Sequence, residues 1–222
     1  MNYEETADAL DEYVLKHIDP ESDLLHQVQR LTHIRLTYTR MCSGHLQGRL
    51  LKMLCSLVGA HRILELGTFS GYSALCLAEA LTPDPVTGDE ELHTIEIFDE
   101  LEDFEREMFA KAGDLGRKIH LHLGDARDII PTLDGEWDVC FIDADKRIYD
   151  EYYQLILPRM RQGGLIICDN TLWAGKVLDE HPKESDLQTI GLQRFNDMVA
   201  QDPRVEKVIL PMRDGLTLLR VK

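Results

Sequence analysis

The amino-acid sequence predicts an α/β protein with a mostly parallel sheet that helices cover on both faces. In the middle of the chain, short apolar runs of strand length alternate four times with stretches of helical spacing. That alternation is typical of parallel strands joined by helical crossovers. The last two apolar runs are joined by a turn too short for a crossover, so we expect them to pair antiparallel.

The first sixty residues are predicted to be helical, because their apolar side chains recur at helical spacing. Asp19-Pro20 separates the first helix from the second, and Gly59 ends the third. The predicted helices cover about 3–18, 21–40 and 44–59.

The strands follow residue 60. Those expected to be parallel are RILELG, LHTIEI, IHLHLGD, WDVCFIDA and GLIICDN, at 62–67, 92–97, 119–125, 137–144 and 164–170. The closing antiparallel pair covers 205–212 and 214–221.

Two other segments complete the predicted architecture. A helix at about 184–201 precedes the closing pair and is expected to bury Leu187, Ile190, Leu192 and Phe195. The segment 82–91 contains two prolines and four acids, so we expect a solvated loop there.

Length and charge limit the class of protein. A length of 222 residues fits one domain over 1–222, with N-terminal helices over 1–60 and an α/β core over 61–222. The formal net charge is -16, from 40 acidic against 24 basic residues. This balance argues against nucleic acid as a general partner, because phosphate contacts need concentrated lysine and arginine.

The location predicted from the sequence is cytoplasmic. The first residues are acidic, unlike a signal or transit peptide, and no apolar run approaches the roughly 18 residues of a membrane helix. The cysteines are odd in number, far apart and set in apolar segments, which predicts reduced core thiols. They are Cys42, Cys55, Cys76, Cys140 and Cys168.

The predicted turn after the first strand reads Glu65-Leu-Gly67-Thr-Phe69-Ser-Gly71. Ligands of such sheets bind at the carboxyl ends of the strands. A dinucleotide fingerprint requires a glycine where Phe69 stands, so that a pyrophosphate can approach the backbone. The turn therefore predicts a nucleoside ligand without a pyrophosphate, and it speaks against the alternative of a nicotinamide-dependent oxidoreductase.

The next two strands end in groups that suit a nucleoside. Glu96 can accept hydrogen bonds from a ribose diol, and Asp125 with Ala126 can meet an adenine edge. Each signal alone also fits a tight turn or a solvated strand end. Together they favour S-adenosylmethionine, which has adenine, ribose and an amino acid but no phosphate, and whose amino group Glu65 would bind directly or through water.

The fourth and fifth strands end in Asp143 and in Asp169-Asn170, which lie side by side in a parallel sheet. Two carboxylates about 4 Å apart repel by about 4 kcal/mol at an effective dielectric constant near 20, and a dication reverses this repulsion. Two carboxylates and an amide oxygen suit Mg²⁺, Mn²⁺ or Ca²⁺. The alternative is that Asp143 caps the next helix and Asp169 pairs with an arginine.

Lys146 follows Asp143 by three residues, at the mouth of the same predicted site. A nearby dication favours the neutral amine, which can act as a general base. The alternative is a surface lysine paired with Asp150 or Glu151. Trp173, just past the metal residues, is either an apolar wall for a flat substrate or a core anchor.

These motifs resemble the cation-dependent O-methyltransferases related to catechol and caffeoyl-CoA O-methyltransferase, and most of all their small bacterial members. The resemblance runs from about residue 40 to the C-terminus and is most specific where IDADK is followed by DNTLW. The other matching stretches are LELGTFSGYSAL, HTIEI, GDARDIIPTL, GGLIICDNTLWAGKV and DGLTLLRVK. The family fold implies a Rossmann-like, doubly wound seven-stranded mixed sheet of order 3-2-1-4-5-7-6 with the last strand antiparallel.

The resemblance also implies roles for particular residues. Asp143, Asp169 and Asn170 would hold the metal, and Lys146 would be the catalytic base beside Asp143. Met41 is a looser match, to a position that touches the donor through its backbone. The methyl-donor pocket would be lined by Glu65, Gly67, Ser73, Glu96, Asp125, Ala126 and Asp143. Asp145 is not counted as a ligand.

The implied reaction is transfer of a methyl group from S-adenosylmethionine to one hydroxyl of a catechol-like, vicinal dihydroxy aromatic, by a homodimer. Alternatives are methylation of a hydroxylated uridine in transfer RNA, and a donor-binding protein without chemistry. The first forty residues match no family motif. Their three arginines, in HQVQRLTHIRLTYTR, do not align with the basic residues by which the plant enzymes recognise coenzyme A.

Overall fold

One seven-stranded sheet forms the centre of the protein. The computed structural model describes residues 3–222, with side chains from residue 9 onward. The strands are β1 Arg62–Leu66, β2 Glu91–Glu96, β3 Ile119–Leu123, β4 Trp137–Ile142, β5 Met160–Asp169, β6 Val205–Leu210 and β7 Leu216–Val221. Their order is β3-β2-β1-β4-β5-β7-β6, and β7 runs antiparallel to both of its neighbours. The predicted fold class and strand order are confirmed.

Helices cover both faces of this sheet. They are α1 Tyr3–His17, α2 Asp23–Arg35, α3 His45–Val58, α4 Tyr72–Ala78, α5 Glu102–Lys111, α6 Ala126–Ile129, α7 Tyr149–Ile156 and α8 Leu187–Gln201. Strand β4 is buried along its whole length, and its alternate side chains enter two different cores. Val139 and Phe141 pack with α3, α4 and α5, whereas Cys140 and Ile142 pack with α7 and α8.

The two largest differences from the predicted element boundaries are in α2 and β5. Helix α2 ends at Arg35 instead of continuing to about residue 40, because Leu36 is extended and Tyr38 is left-handed, with φ 58°. Strand β5 begins at Met160, four residues before the predicted start at 164. Its first part contains Gly163 at φ 77°, and its register against β4 is irregular, so the apolar pattern is interrupted there.

One predicted core residue is also wrong. Leu187 is 52% exposed at the first position of α8, whereas Thr189 in the same turn is buried. Leu192 and Phe195, further along the helix, are fully buried as predicted, and Ile190 is half-buried. All five cysteines are buried and free, which confirms the expected core thiols. Within residues 3–222, no helix has the length and apolar character to cross a membrane.

Candidate active site

The turn between β1 and α4 lies against the end of β4. Gly67 has φ 93°, and a Cβ at this position would stand 2.1 Å from the backbone oxygen of Asp143. The backbone N–H of Asp143 donates to the Leu66 carbonyl at 2.9 Å. Phe69, in the same turn, is held in the left-handed region at φ 50°. Glycine is therefore required at 67 for both backbone conformation and close approach.

Glu65 is a buried carboxyl group with one unused oxygen. Its Oε2 accepts a hydrogen bond from the Thr94 hydroxyl at 2.6 Å, whereas its buried Oε1 has no partner among the described residues. Burial raises the pKa of Glu65 to about 8, and the hydroxyls of Ser73 and Thr94 offset part of that effect. An unpartnered, buried acceptor of this kind fits the amino group of a methyl donor.

The Glu96 carboxylate is fixed by three backbone amides at the end of β2. Oε2 accepts from Phe69 N at 2.9 Å, and Oε1 accepts from Ile97 N at 2.9 Å and Phe98 N at 3.1 Å. The side chain is therefore already oriented at the strand end, where a ribose is expected. Ser73, which follows the β1 turn, is buried in the first turn of α4.

Asp125 and Ala126 lie at the end of β3, but the Asp125 carboxylate is already engaged. It caps α6 by accepting from Arg127 N at 2.8 Å, and it also binds the Arg127 guanidinium at 2.7 Å. That guanidinium holds the pKa of Asp125 below its usual range. Met41 is 52% exposed in a short 3₁₀ turn, Thr39–Met41, where its N–H donates to the Tyr38 carbonyl.

Asp143 and Asp169 occupy neighbouring strand ends. Ile142 is paired with Cys168, so the two aspartates directly follow paired residues of β4 and β5. Asp169 is 3% exposed, and its pKa is raised by burial and by the negative charge of Asp143. Asn170, next in the chain, adopts φ 59° and donates its N–H to Oδ1 of Asp169 at 2.8 Å. This pair of carboxylates with an adjacent amide fits a hard dication.

The alternatives for these two aspartates are wrong. Asp169 binds the amide of Gln47, Nε2 to Oδ2 at 2.8 Å, and no arginine. The 3₁₀ turn after β4 is capped by Asp145, which accepts from Arg147 N at 3.0 Å and also binds its guanidinium. Asp143 is therefore free of capping, and Asp145, which the sequence left without a role, stabilises the turn that carries Lys146.

Lys146 lies inside the site instead of on the surface. Its Nζ donates to Oδ1 of Asp143 at 2.7 Å, and its side chain is only 14% exposed. The alternative partners are occupied elsewhere, since Asp150 binds Arg194 and Glu151 binds Arg127. The structure thus brings one amine together with the two strand-end carboxylates.

Trp173 follows the β5 end in a strained segment, at φ 46°. Its indole is half-buried against the core formed with α7 and α8, and its buried Nε1 has no hydrogen-bond partner among residues 9–222. The ring therefore has the packing of an anchor.

Gln47 and Arg213 are site residues that sequence reasoning missed. Gln47 is 1% exposed on α3, and its Oε1 accepts from Arg213 Nη1 at 2.5 Å while its amide holds Asp169. Arg213 also donates to the Ser43 carbonyl. No motif marks these residues. The available signal was Gln47 itself, at helical spacing from Leu51 and Cys55, which α3 buries.

The fold and the strand-end groups define a class of protein: a Rossmann-like methyltransferase. Residues 16–222 match the family model described as O-methyltransferase. The chain belongs to this O-methyltransferase family, and it is an S-adenosylmethionine-dependent O-methyltransferase.

Relatives support this assignment along most of the chain. Tricin synthase 2 of Oryza sativa subsp. japonica is 36% identical over 225 residues, covering 96% of this chain and 75% of the relative. Catechol O-methyltransferase of Niastella koreensis is 40% identical over 185 residues, covering 79% and 80%. The structure of the O-methyltransferase TomG from Streptomyces achromogenes, in complex with SAM, matches with a TM-score of 0.88 at 33% identity, covering 100% and 99%.

Proposed function

We propose that this chain, as one catalytic domain, is a divalent-cation-dependent enzyme that methylates one hydroxyl of a vicinal dihydroxy aromatic. One arrangement carries the proposal: Asp143 and Asp169 follow paired residues of β4 and β5, and Lys146 Nζ lies 2.7 Å from Oδ1 of Asp143. The carboxylate oxygens are suitable ligands for a hard dication, and the adjacent amine is a suitable base for the proton of an aromatic diol.

The cation would be held by Asp143, Asp169 and the side-chain amide of Asn170. We propose Mg²⁺, with Mn²⁺ and Ca²⁺ as alternatives that share its preference for oxygen ligands. When bound, such an ion supplies a Lewis acid that makes the acceptor hydroxyls more acidic. Gln47 positions Asp169 for this role, because its amide fixes Oδ2 at 2.8 Å.

The donor, S-adenosylmethionine, would lie across the ends of β1, β2 and β3. Glu65 Oε1 would accept from its amino group, since this buried oxygen has no partner within the part of the chain that the structure describes. Glu96, already oriented by three amides, would meet the ribose hydroxyls. The other residues proposed for this pocket are Met41, Gly67, Ser73, Asp125, Ala126 and Asp143.

Lys146 would take the proton of the attacking hydroxyl. Its Nζ lies 2.7 Å from Oδ1 of Asp143, and only the unprotonated amine has the free lone pair that accepts this proton. The acceptor O–H bond then breaks, an O–CH₃ bond forms as the donor S–CH₃ bond breaks, and the proton remains on Nζ. Trp173 would pack against the aromatic ring of the acceptor.

The test uses protein treated with EDTA and desalted, labelled S-adenosylmethionine, and catechol or caffeate as acceptor. We expect methyl transfer only after Mg²⁺ is added, and only to acceptors with two adjacent hydroxyls. Lys146→Ala should lower kcat at least about 100-fold, because it removes the base, while the Kd for S-adenosylhomocysteine stays within about twofold.

Two variants serve as comparisons. Lys118 lies just before β3 and forms a salt bridge with Glu90, away from the strand ends that carry the site. The Lys118→Ala variant should keep full activity. Asp169→Asn should weaken Mg²⁺ activation and leave donor binding unchanged. Full activity of the EDTA-treated protein on catechol would contradict the metal role, and normal kcat in Lys146→Ala would contradict the base.

A further inference from the structure

We propose a second metal site, formed by Glu91, His93 and His120 on the sheet face at β2 and β3, that takes a transition-metal dication such as Zn²⁺. It is separate from the strand-end carboxylates. Glu91 is paired with Arg62 at the start of β1, whereas Asp143 follows the end of β4. Glu91 and Asp143 are therefore about 16 Å apart along the strand direction and two strands apart across the sheet.

The sheet register brings the three ligand atoms together. His93 and His120 are directly paired on adjacent parallel strands, and Glu91 lies two residues before His93, on the same face. Glu91 Oε2 is 3.4 Å from His93 Nε2 and 3.8 Å from His120 Nε2. All three ligand atoms lie within 4.8 Å of one another. A tetrahedral zinc with bonds near 2.1 Å separates its ligands by about 3.4 Å.

Neighbouring groups orient these atoms toward one another. Arg62 Nε binds the other Glu91 oxygen, Oε1, at 2.6 Å. The second ring nitrogen of His93, Nδ1, is 3.0 Å from His122 Nε2, so Nε2 is left for the cluster. That Nε2 is buried and makes no hydrogen bond to any of the residues that the structure describes. In protein metal sites, neighbouring groups usually orient the ligand side chains by hydrogen bonds. A histidine ligand usually makes such a bond through its second ring nitrogen.

The ligand types of the three side chains determine which kind of ion the site prefers. Two imidazoles and one carboxylate suit Zn²⁺, Co²⁺ or Ni²⁺, whereas Mg²⁺ prefers oxygen ligands alone. The His120 side chain is 49% exposed, which gives an ion a path from solvent and leaves a fourth position for water. Because β3 is the outermost strand, a metal here would cross-link it to β2 and stabilise that edge.

The experiment is a zinc titration of EDTA-treated protein in the presence of a chromophoric chelator and excess Mg²⁺. All proteins carry Asp169→Asn, so that zinc is not bound by the strand-end carboxylates. We expect one equivalent of Zn²⁺ to bind and to raise the Tm, and Co²⁺ in its place to show the visible absorption of a four-coordinate ion. His120→Ala should weaken zinc binding at least about tenfold, because one of three ligands is lost.

His120→Ala carries the test because its side chain is half exposed, whereas His93 packs against Trp137 with ring centroids 5.3 Å apart. Glu91→Gln provides a second ligand variant, and His33→Ala, on the exposed side of α2, is the matched control. Equal zinc affinity in His120→Ala and the control, or no zinc taken from the chelator, would overturn the proposal. The result does not depend on methyl transfer.

Discussion

Glu65 and Glu105 are two buried carboxyl groups near the expected donor pocket, with different surroundings. Among the described residues, Glu65 receives one hydrogen bond, from Thr94, and its Oε1 has none, whereas neither carboxyl oxygen of Glu105 has a partner. Burial raises the pKa of Glu65 to about 8, and the charges of Asp143 and Glu96 add to this shift. Burial likewise raises the pKa of Glu105 to about 9, with the charges of Glu96 and Glu65 adding to it. The free Glu65 oxygen suits a ligand, whereas Glu105 costs stability.

Glu65→Gln should weaken the binding of S-adenosylhomocysteine by about 10- to 100-fold, because a charge-assisted hydrogen bond to the amino group contributes about 1.5–3 kcal/mol. Isothermal titration calorimetry gives the Kd. Glu100→Gln, an exposed acid just after β2, is the control and should bind normally. An unchanged Kd in Glu65→Gln would remove Glu65 from the donor pocket.

Glu105→Gln should stabilise the protein increasingly as pH rises. The folded protein keeps the Glu105 proton up to pH about 9, whereas an ordinary glutamate releases it near 4.5. The unfolded chain therefore binds fewer protons between these values, and the free energy of unfolding falls as pH rises through that window. The isosteric amide cannot ionise, so we expect a gain on the order of a few kcal/mol at pH 8 and little gain at pH 5.

Thermal or urea unfolding at the two pH values measures the effect, with Glu100→Gln again as the surface control. A Glu105→Gln variant whose stability follows the wild-type pH dependence would show that Glu105 ionises normally in the folded protein.

At the scale of elements, the turn between β1 and α4 is constrained both by its backbone conformation and by its packing against the end of β4. Gly67→Ala places a methyl group 2.1 Å from the Asp143 carbonyl oxygen, in addition to the cost of φ 93°. We expect a loss of stability of at least about 2 kcal/mol, with weaker donor binding, because the β1 and β4 ends must separate.

Gly88→Ala is the matched control for this turn. Gly88 has a similar φ of 80°, but a Cβ there meets no atom within 4 Å. It should therefore show only the conformational cost, about 1 kcal/mol, and normal donor binding. Equal losses of stability in the two variants, measured by urea unfolding, would mean that the contact with Asp143 is relieved without cost.

Element identity could be predicted from the sequence more completely than element boundaries. The fully buried β4 reads as a continuous apolar run, since both of its faces enter a core. The early start of β5 was missed because glycines interrupt its apolar pattern. The end of α2 was missed because its helical spacing continues past Arg35, while the chain turns to pack Leu36 against the α3–α5 side of the sheet.

At the scale of the whole molecule, we expect a homodimer, as the family resemblance implies. Large apolar side chains on α3 are exposed, with Met53 60% and Leu57 78% exposed, and an interface would remove such surface from water. Light scattering after size-exclusion chromatography should give about twice the chain mass of 25.4 kDa at micromolar concentration. A mass of one chain across a dilution series would contradict the expectation.

The sequence by itself determined the fold class. It also placed Asp143 and Lys146 at the same edge of the sheet as Asp169 and Asn170. Strand ends of a parallel sheet meet at one edge, so local patterns were enough to place these groups together. Only the tertiary structure decided that Gln47 holds Asp169 across 122 positions, that both buried oxygens of Glu105 have no partner in the described part of the chain, and that His93 faces His120. Those contacts depend on helix packing and cross-strand register, which are set by the whole core and by no local spacing.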